Sequence, residues 1–226
     1  MEAIFSFFAV NFDLPILNWI VENLRCAFLD FWMPLITLLG DAGIFWIITA
    51  VVLLIFPKYR KAGLTMAVSL LLGLLVCNLT LKPLVARMRP FDYQLLHFGK
   101  AIPLLIPKPT DFSFPSGHTQ NIAGTFGAIG ATSRRRPFSI VCIVIIVLVA
   151  FSRMYLGVHT PADVGVSICV ALLLIFVAYP LFQKAANSPK LMYGIFNGFG
   201  SDGAEGLMRS ASTTAISYNS ANFFLR

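Results

Sequence analysis

The sequence has few charged residues, and fewer acidic than basic ones. Its 226 residues include 17 lysines and arginines, 10 aspartates and glutamates and three histidines, so that 12% are charged, against about 25% in soluble proteins. With 58% hydrophobic residues and a mean hydropathy of +0.80, this composition predicts an integral membrane protein. The net charge of +7 does not indicate nucleic-acid binding, because the cations lie in short loops between apolar runs and form no continuous basic face.

Several other features are missing. The N-terminus has no positively charged stretch, so we expect no cleavable signal peptide. There is no internal repeat. Four cysteines lie in or beside apolar runs without the paired spacing of a zinc site or disulfide framework, and we expect them to be small buried residues: Cys26, Cys77, Cys142 and Cys169. Since the polar clusters described below contain a single acid, we predict no metal ion and no cofactor.

Long apolar runs predict an all-α, multi-pass membrane bundle of five to six transmembrane helices. Residues 1–26 are predicted to form an interfacial amphipathic segment, residues 27–186 the membrane domain, and residues 187–226 a polar, cytoplasmic tail. Whether residues 27–56 cross the membrane once with a kink, or form a re-entrant piece and then a span, stays open. The clearest spans are predicted at residues 63–81, 114–132, 138–152 and 162–182.

Basic loops predict the orientation of these spans. If the spans alternate, residues 58–61, residues 134–136 and the cations near residue 184 fall on one side, and the positive-inside rule places that side in the cytoplasm. The extracytoplasmic ends then carry three polar clusters, at 82–89, 116–118 and 153–163. Topology alone would bring these clusters to one membrane face. A long connection over residues 91–113 leads to the second cluster, and we expect it to be a lid or binding loop.

The third cluster contains Arg153, His159 and Asp163. The Thr160-Pro161 pair between the last two is typical of a helix start. Asp163 can therefore reach back to a ring nitrogen of His159 and set its tautomer, as in a catalytic triad. Alternatively, Thr160 and Asp163 only form a capping box. The sequence leaves both interpretations open.

The first two clusters are rich in groups that bind anions. Lys82 and Arg89 are seven positions apart, on one face if the helix persists; the alternative is that cations reach for lipid headgroups, which we prefer for Arg87. Ser116 and Gly117 stand at a helix start, where backbone N–H groups bind anions, although Ser116 could also be a plain N-cap. His118 follows in the first turn, and the remaining histidine, His97, is predicted to be a surface residue of the long connection.

Two histidines among several cations favour covalent phosphoryl transfer. The motifs also resemble the three-part signature of the type 2 phosphatidic acid phosphatase superfamily. The resemblance covers residues 62–183 and rests on three motifs: Lys82 with Arg89-Pro90, Pro115-Ser116-Gly117-His118, and Ser152-Arg153 with His159 and Asp163.

The resemblance implies a role for each matching residue. His159 would be the nucleophile that forms a phosphohistidine, Asp163 would orient it, and His118 would be the general acid. The phosphate would be held by five residues, Lys82, Arg89, Ser116, Gly117 and Arg153. The family is metal-independent.

The resemblance also implies a substrate class, a lipid phosphate or pyrophosphate at the outer face of the plasma membrane. Undecaprenyl pyrophosphate is our first expectation. The alternatives are a phosphatidylglycerophosphate or phosphatidic acid phosphatase, or a lipid phosphotransferase that uses the same histidine. A non-enzymatic scaffold or transporter would tolerate loss of a signature residue, and none is lost here. The oligomeric state is not predicted.

Overall fold

The fold was analysed in a computed structural model, which describes residues 7–41, 43–56, 58–133 and 135–186. Within these ranges the regular structure is entirely helical, without strands, as the composition predicts. The predicted tail at residues 187–226 lies outside the described residues. After a π-helical turn, Ala9–Asp13, the helices are α1 Leu14–Asn23, α2 Ala27–Asp41, α3 Gly43–Ile55, α4 Arg60–Gly73, α5 Pro90–Phe98, α6 Gly117–Thr132, α7 Arg136–Tyr155 and α8 Pro161–Ala186.

Helix α4 does not continue as far as Arg89. It runs on through a π-helical segment, Leu74–Leu81, and one α-helical turn, Lys82–Val85, and stops where Ala86 adopts a left-handed conformation with φ 46°. The condition under which Lys82 and Arg89 would share one helical face is therefore not met. The left-handed Ala86 and the non-helical residues 86–89 interrupt the helix after Lys82.

The connection predicted at residues 91–113 begins with a helix rather than a loop. Helix α5 starts at Pro90, whose fixed φ suits the first helical position. It ends at Gly99, which adopts a left-handed φ of 63° and closes the last turn with its N–H on the Leu95 carbonyl. Only the part that follows α5, up to the start of α6, is irregular.

Helices α4, α6, α7 and α8 pack around a shared apolar core, with α3 against α4, and α2 against α6 and α7. Met66, Ile122 and Val149 are fully buried in this core. The outward face of α7 is apolar but exposed, with Ile143 and Val147 each more than half exposed. An apolar outer surface is what a lipid-facing helix requires.

By length and apolar composition, two stretches qualify as membrane spans, Arg60–Phe98 and Arg136–Tyr155. Helices α2 and α3 qualify together, bent by 53°, which favours neither alternative for residues 27–56. Helix α6 does not qualify, because it has only 16 residues and is rich in glycine and threonine. The full number of five to six spans therefore stays a prediction.

The N-terminal segment packs against the rest of the bundle. Leu14, Leu17 and Ile20 form the buried face of α1 and pack in a second apolar cluster with Tyr155 and other residues around the α7–α8 turn. That residues 1–26 form an interfacial amphipathic segment stays a prediction. The expectation for the cysteines is wrong for two of the four, since Cys26 and Cys169 are exposed.

Candidate active site

The turn between α7 and α8 places His159 in the interior. Gly157 has a left-handed φ of 74°, which glycine adopts without strain. A Cβ atom at this position would lie 2.6 Å from Cγ2 of Ile102, so the close approach also requires glycine. The N–H groups of Val158 and His159 both donate to the carbonyl of Arg153 at 3.3 Å. This compact turn leaves the His159 side chain 1% exposed.

Asp163 lies beside His159 and also caps the start of α8. Its Oδ2 lies 3.6 Å from Nδ1 of His159, an ion-pair distance rather than a hydrogen bond. The same oxygen accepts the N–H of Thr160 at 2.9 Å, and the N–H of Asp163 donates to Oγ1 of Thr160 at 3.3 Å. These two bonds are a capping box. The Ser113 hydroxyl also donates to Oδ2, so the carboxylate is held firmly beside the imidazole.

Arg89 connects the first polar cluster to the third. Its Nη1 donates to the carbonyl of Val158 at 2.9 Å and lies 3.3 Å from Nε2 of His159. Its Nη2 binds the carboxylate of Asp111, and Lys82 binds the other oxygen of that carboxylate. Lys82 and Arg89 thus converge on one anion from different elements of the chain.

Asp111 is an acid that sequence reasoning missed. Its side chain is 53% exposed at the mouth of the site. Partial burial alone would raise its pKa, but the hydrogen bonds and charges of Lys82 and Arg89 lower the pKa of Asp111 to about 2. The carboxylate of Asp111 therefore binds Lys82 and Arg89, two of the residues that are predicted to hold the phosphate.

The start of α6 adjoins the same turn. The N–H of Ser116 donates to the backbone carbonyl of Asp163 at 3.3 Å. Ser116 stands at the N-cap position but makes no side-chain capping bond; its hydroxyl accepts a hydrogen bond from Thr119 at 3.1 Å. Gly117 is the first residue of α6. The N-cap alternative for the Ser116 side chain is therefore not met.

His118 faces the end of α2. Its Nε2 lies 3.1 Å from Oδ1 of Asp41. A Cβ atom on Gly40 would lie 2.8 Å from Cβ of His118, so α2 and α6 are in very close contact there. His118 also interacts electrostatically with Arg153 and His159. Asp41 is a second acid that the motifs did not indicate.

Arg153 is buried and held by α2. Its Nη1 donates to Oγ1 of Thr37 at 2.6 Å, and it interacts electrostatically with Arg89 and Asp111. The contacts and electrostatic interactions described above place the predicted site residues in one region, at one end of the bundle. Gly117 belongs to this region because it directly follows Ser116. The prediction of three converging clusters agrees with these contacts.

The prediction for Arg87 is wrong. Its guanidinium does not reach for lipid headgroups but is buried, with Nη1 donating to Oδ1 of Asp163 at 2.8 Å and to Oγ1 of Thr160 at 3.0 Å. Nη2 binds the fully buried carboxylate of Asp13. A lone aspartate in the N-terminal segment gives no sequence signal of this pairing.

The environment of His159 favours its neutral form. Burial is the main cause that lowers the pKa of His159 to about 4, and the charges of Arg89 and Arg153 act in the same direction. At pH 7 the ring is then unprotonated and one nitrogen carries a lone pair. With the proton on Nδ1, facing Asp163, the free lone pair is on Nε2, beside Arg89.

The described residues contain no group of three or more His, Cys, Asp or Glu side chains placed to hold a metal ion. The metal-free, cofactor-free chemistry stays a prediction. His97 lies on the surface of α5, as predicted, and its ring stacks on Tyr93 with centroids 4.3 Å apart. It provides a histidine away from the polar clusters.

Comparison with known proteins decides the family. The PAP2 superfamily matches residues 62–187. The chain belongs to the PAP2 superfamily. Thr37 and Asp41, which contact motif residues, and Asp13, which contacts Arg87, precede the matched part of this PAP2 protein.

Its sequence relatives are lipid phosphatases. An undecaprenyl-diphosphatase from Sulfolobus acidocaldarius is 38% identical over 119 residues, which are 53% of this chain and 54% of that protein. The chain therefore spans about half the length of that relative. Phosphatidylglycerophosphatase B from Bacillus subtilis is 32% identical over 187 residues, 78% of this chain and 80% of that protein.

Solved structures show the same fold. The crystal structure of a transmembrane PAP2-type phosphatidylglycerolphosphate phosphatase from Bacillus subtilis matches with a TM-score of 0.62 and 28% identity, over 81% of this chain and 88% of the other. Aquifex aeolicus LpxE matches with a TM-score of 0.57 and 21% identity, over 74% and 93%. The helical architecture is thus that of PAP2 membrane phosphatases.

Proposed function

We propose that this PAP2 protein hydrolyses a lipid phosphate or pyrophosphate through a phosphohistidine on His159. One observation carries the proposal: the ring of His159 is buried, with Nδ1 3.6 Å from Asp163 and Nε2 3.3 Å from Arg89, an environment that favours its neutral form. Such a ring offers a lone pair at the point where a cation would hold a phosphoryl oxygen.

In the first step, Nε2 of His159 attacks phosphorus and the bond from phosphorus to the leaving oxygen breaks. His118 gives its proton to that oxygen; the carboxylate of Asp41, 3.1 Å away, favours the protonated ring against the opposing effects of burial and of the cations Arg153 and Arg89. Lys82, Arg89 and Arg153 offset the charge on the equatorial oxygens, together with the N–H groups at the start of α6. Asp163 stabilises the positive charge that develops on His159.

In the second step, water attacks the phosphohistidine. His118, now neutral, takes a proton from the water, the nitrogen–phosphorus bond breaks, and inorganic phosphate leaves. His159 and His118 return to their starting protonation states. A lipid or sugar hydroxyl in place of water would make the same site a phosphotransferase, and the acceptor is not encoded in the motif residues.

Undecaprenyl pyrophosphate is the substrate that we propose first. The Sulfolobus relative is named undecaprenyl-diphosphatase and is 38% identical. The Bacillus relative, named phosphatidylglycerophosphatase B, matches more of the chain, so phosphatidylglycerophosphate is the second candidate. We propose that the site opens on the extracytoplasmic face of the plasma membrane, because the basic loops lie at the other ends of the spans.

The test is phosphate release by the purified protein in detergent, in EDTA, from a panel of undecaprenyl pyrophosphate, phosphatidylglycerophosphate and phosphatidic acid. We expect turnover of at least one lipid. His159→Ala and His118→Ala should each lower turnover by about 10²–10⁴-fold, whereas His97→Ala, a matched control on the surface, should not. Failure on the whole panel, or turnover that EDTA abolishes, would contradict the proposal.

A further inference from the structure

Asp13 is a buried charge in a segment that precedes the family match. It is 0% exposed, which is costly for a carboxylate unless its oxygens are paired. One oxygen binds Nη2 of Arg87, and the other accepts the N–H of Ala162 at 3.0 Å. Ala162 lies in the first turn of α8, directly before Asp163. Asp13 therefore contacts both the cation that binds Asp163 and the backbone that carries it.

Arg87 in turn completes the shell around Asp163. It binds Oδ1, whereas Oδ2 faces His159, Ser113 and the N–H of Thr160. Both carboxylate oxygens are thus fixed from opposite sides. Without Arg87, Oδ1 would be a buried charge without this ionic partner, and the carboxylate could rotate away from the imidazole.

The charges of this group matter as well as its geometry. Arg87 alone would neutralise Asp163 and reduce its ability to stabilise a positive His159. Since Arg87 also faces Asp13, the three side chains carry a net charge of −1. That charge lies on the Nδ1 side of His159, opposite Arg89.

We infer that Asp13 and Arg87 are positioning residues of this site, which hold Asp163 against His159 and keep the net negative charge that the phosphohistidine step requires. This inference rests on the proposed function, because it acts through His159 and Asp163. It gives the N-terminal segment a role in catalysis beyond packing on the bundle.

Three variants test the inference through kcat, KM and the pH dependence of kcat/KM. Asp13→Asn keeps the oxygen that accepts the Ala162 N–H but removes the charge, so we expect kcat to fall about tenfold with KM nearly unchanged. Asp13→Glu, which restores the charge, should recover part of the loss. Glu22→Gln is the matched control, because it breaks an exposed ion pair with Lys100 away from the site.

The titration of His159 distinguishes this role from a merely structural one. Losing the negative charge of Asp13 should lower the pKa of His159, whereas losing the positive charge in Arg87→Gln should raise it, each by about one unit. The other charged or titratable groups that face His159 are Arg89, Arg153, Asp163 and His118, and these are unchanged in both variants.

Carbon-13 histidine NMR of the detergent-solubilised protein measures this titration without turnover. The chain has three histidines, which His97→Ala and His118→Ala assign. Opposite shifts in the two variants would support the positioning role of Asp13 and Arg87 even if every tested lipid failed, a failure that would contradict the proposed function. Equal titrations in wild type and Asp13→Asn would overturn the inference even with an active wild type. If Arg87→Gln does not fold, the direction of the pKa change of His159 in Asp13→Asn decides.

Discussion

Replacing Asp111 by asparagine should make the site bind small anions more tightly. The carboxylate of Asp111 lies on Lys82 and Arg89, and its pKa of about 2, against an ordinary 3.8, corresponds to roughly 2 kcal/mol of favourable interaction. Because the side chain is 53% exposed, solvent screening reduces this to about 1 kcal/mol. A phosphate group that binds the two cations must displace this carboxylate and loses that amount of binding free energy. Removing the carboxylate should therefore lower the Kd for phosphate about fivefold.

Isothermal titration calorimetry with inorganic phosphate or orthovanadate measures this Kd directly, independently of turnover. Asp92→Asn is the matched control, because Asp92 pairs with Lys108 on the same side of the protein but not with the two cations of the site. An unchanged or higher Kd in Asp111→Asn, with the control at the wild-type value, would refute the reasoning. Asp111 would then contribute to phosphate binding rather than compete with phosphate for Lys82 and Arg89.

Three further predictions concern the turn and its neighbours. Gly157→Ala should destabilise the protein by about 1–3 kcal/mol, seen as a lower Tm, because of its φ of 74° and the 2.6 Å approach to Ile102. Thr37→Val, which removes the acceptor of Arg153, should raise KM about tenfold with an unchanged Tm. Since the pKa of His159 is about 4 when folded and ordinarily 6.5, the unfolded chain binds the extra proton; stability should be intact above pH 6.5 and fall towards pH 4 in denaturant titrations.

The candidate site residues could be recognised in the sequence because they are grouped. Charged residues are rare in this chain, so Arg153, His159 and Asp163 stand out between two apolar runs. Alternation of the spans then predicts that three such clusters share one face. The contact of Arg89 with both His159 and Val158 agrees with that prediction.

The acids that complete the site could not be predicted in this way. Asp13, Asp41 and Asp111 are single residues in three separate segments, and nothing in their spacing distinguishes them from surface acids. Only tertiary packing brings each of them to a cation or an imidazole of the site. Arg87 was misassigned for the same reason, since its partner Asp13 is 74 residues away.

The predicted helix boundaries differ from those of the structure where the local backbone conformation departs from the hydrophobic pattern. The path from Lys82 to Arg89 does not stay helical, because Ala86 takes a left-handed conformation that sequence propensity disfavours. Helix α5 was not predicted, because the length and the prolines of residues 91–113 favour a loop, although Pro90 and Gly99 are typical helix start and stop signals. Helix α6 is too short, with 16 residues, and too rich in glycine and threonine to qualify as a span.

The most direct test of the central claim is to trap the covalent intermediate. Rapid acid-free quenching of the protein with ³²P-labelled lipid phosphate, followed by peptide mapping, should place a base-stable, acid-labile phosphoryl group on His159. The label should be absent in His159→Ala and unaffected in His97→Ala. Label on another residue, or steady turnover with no label on His159 at any quench time, would contradict the account.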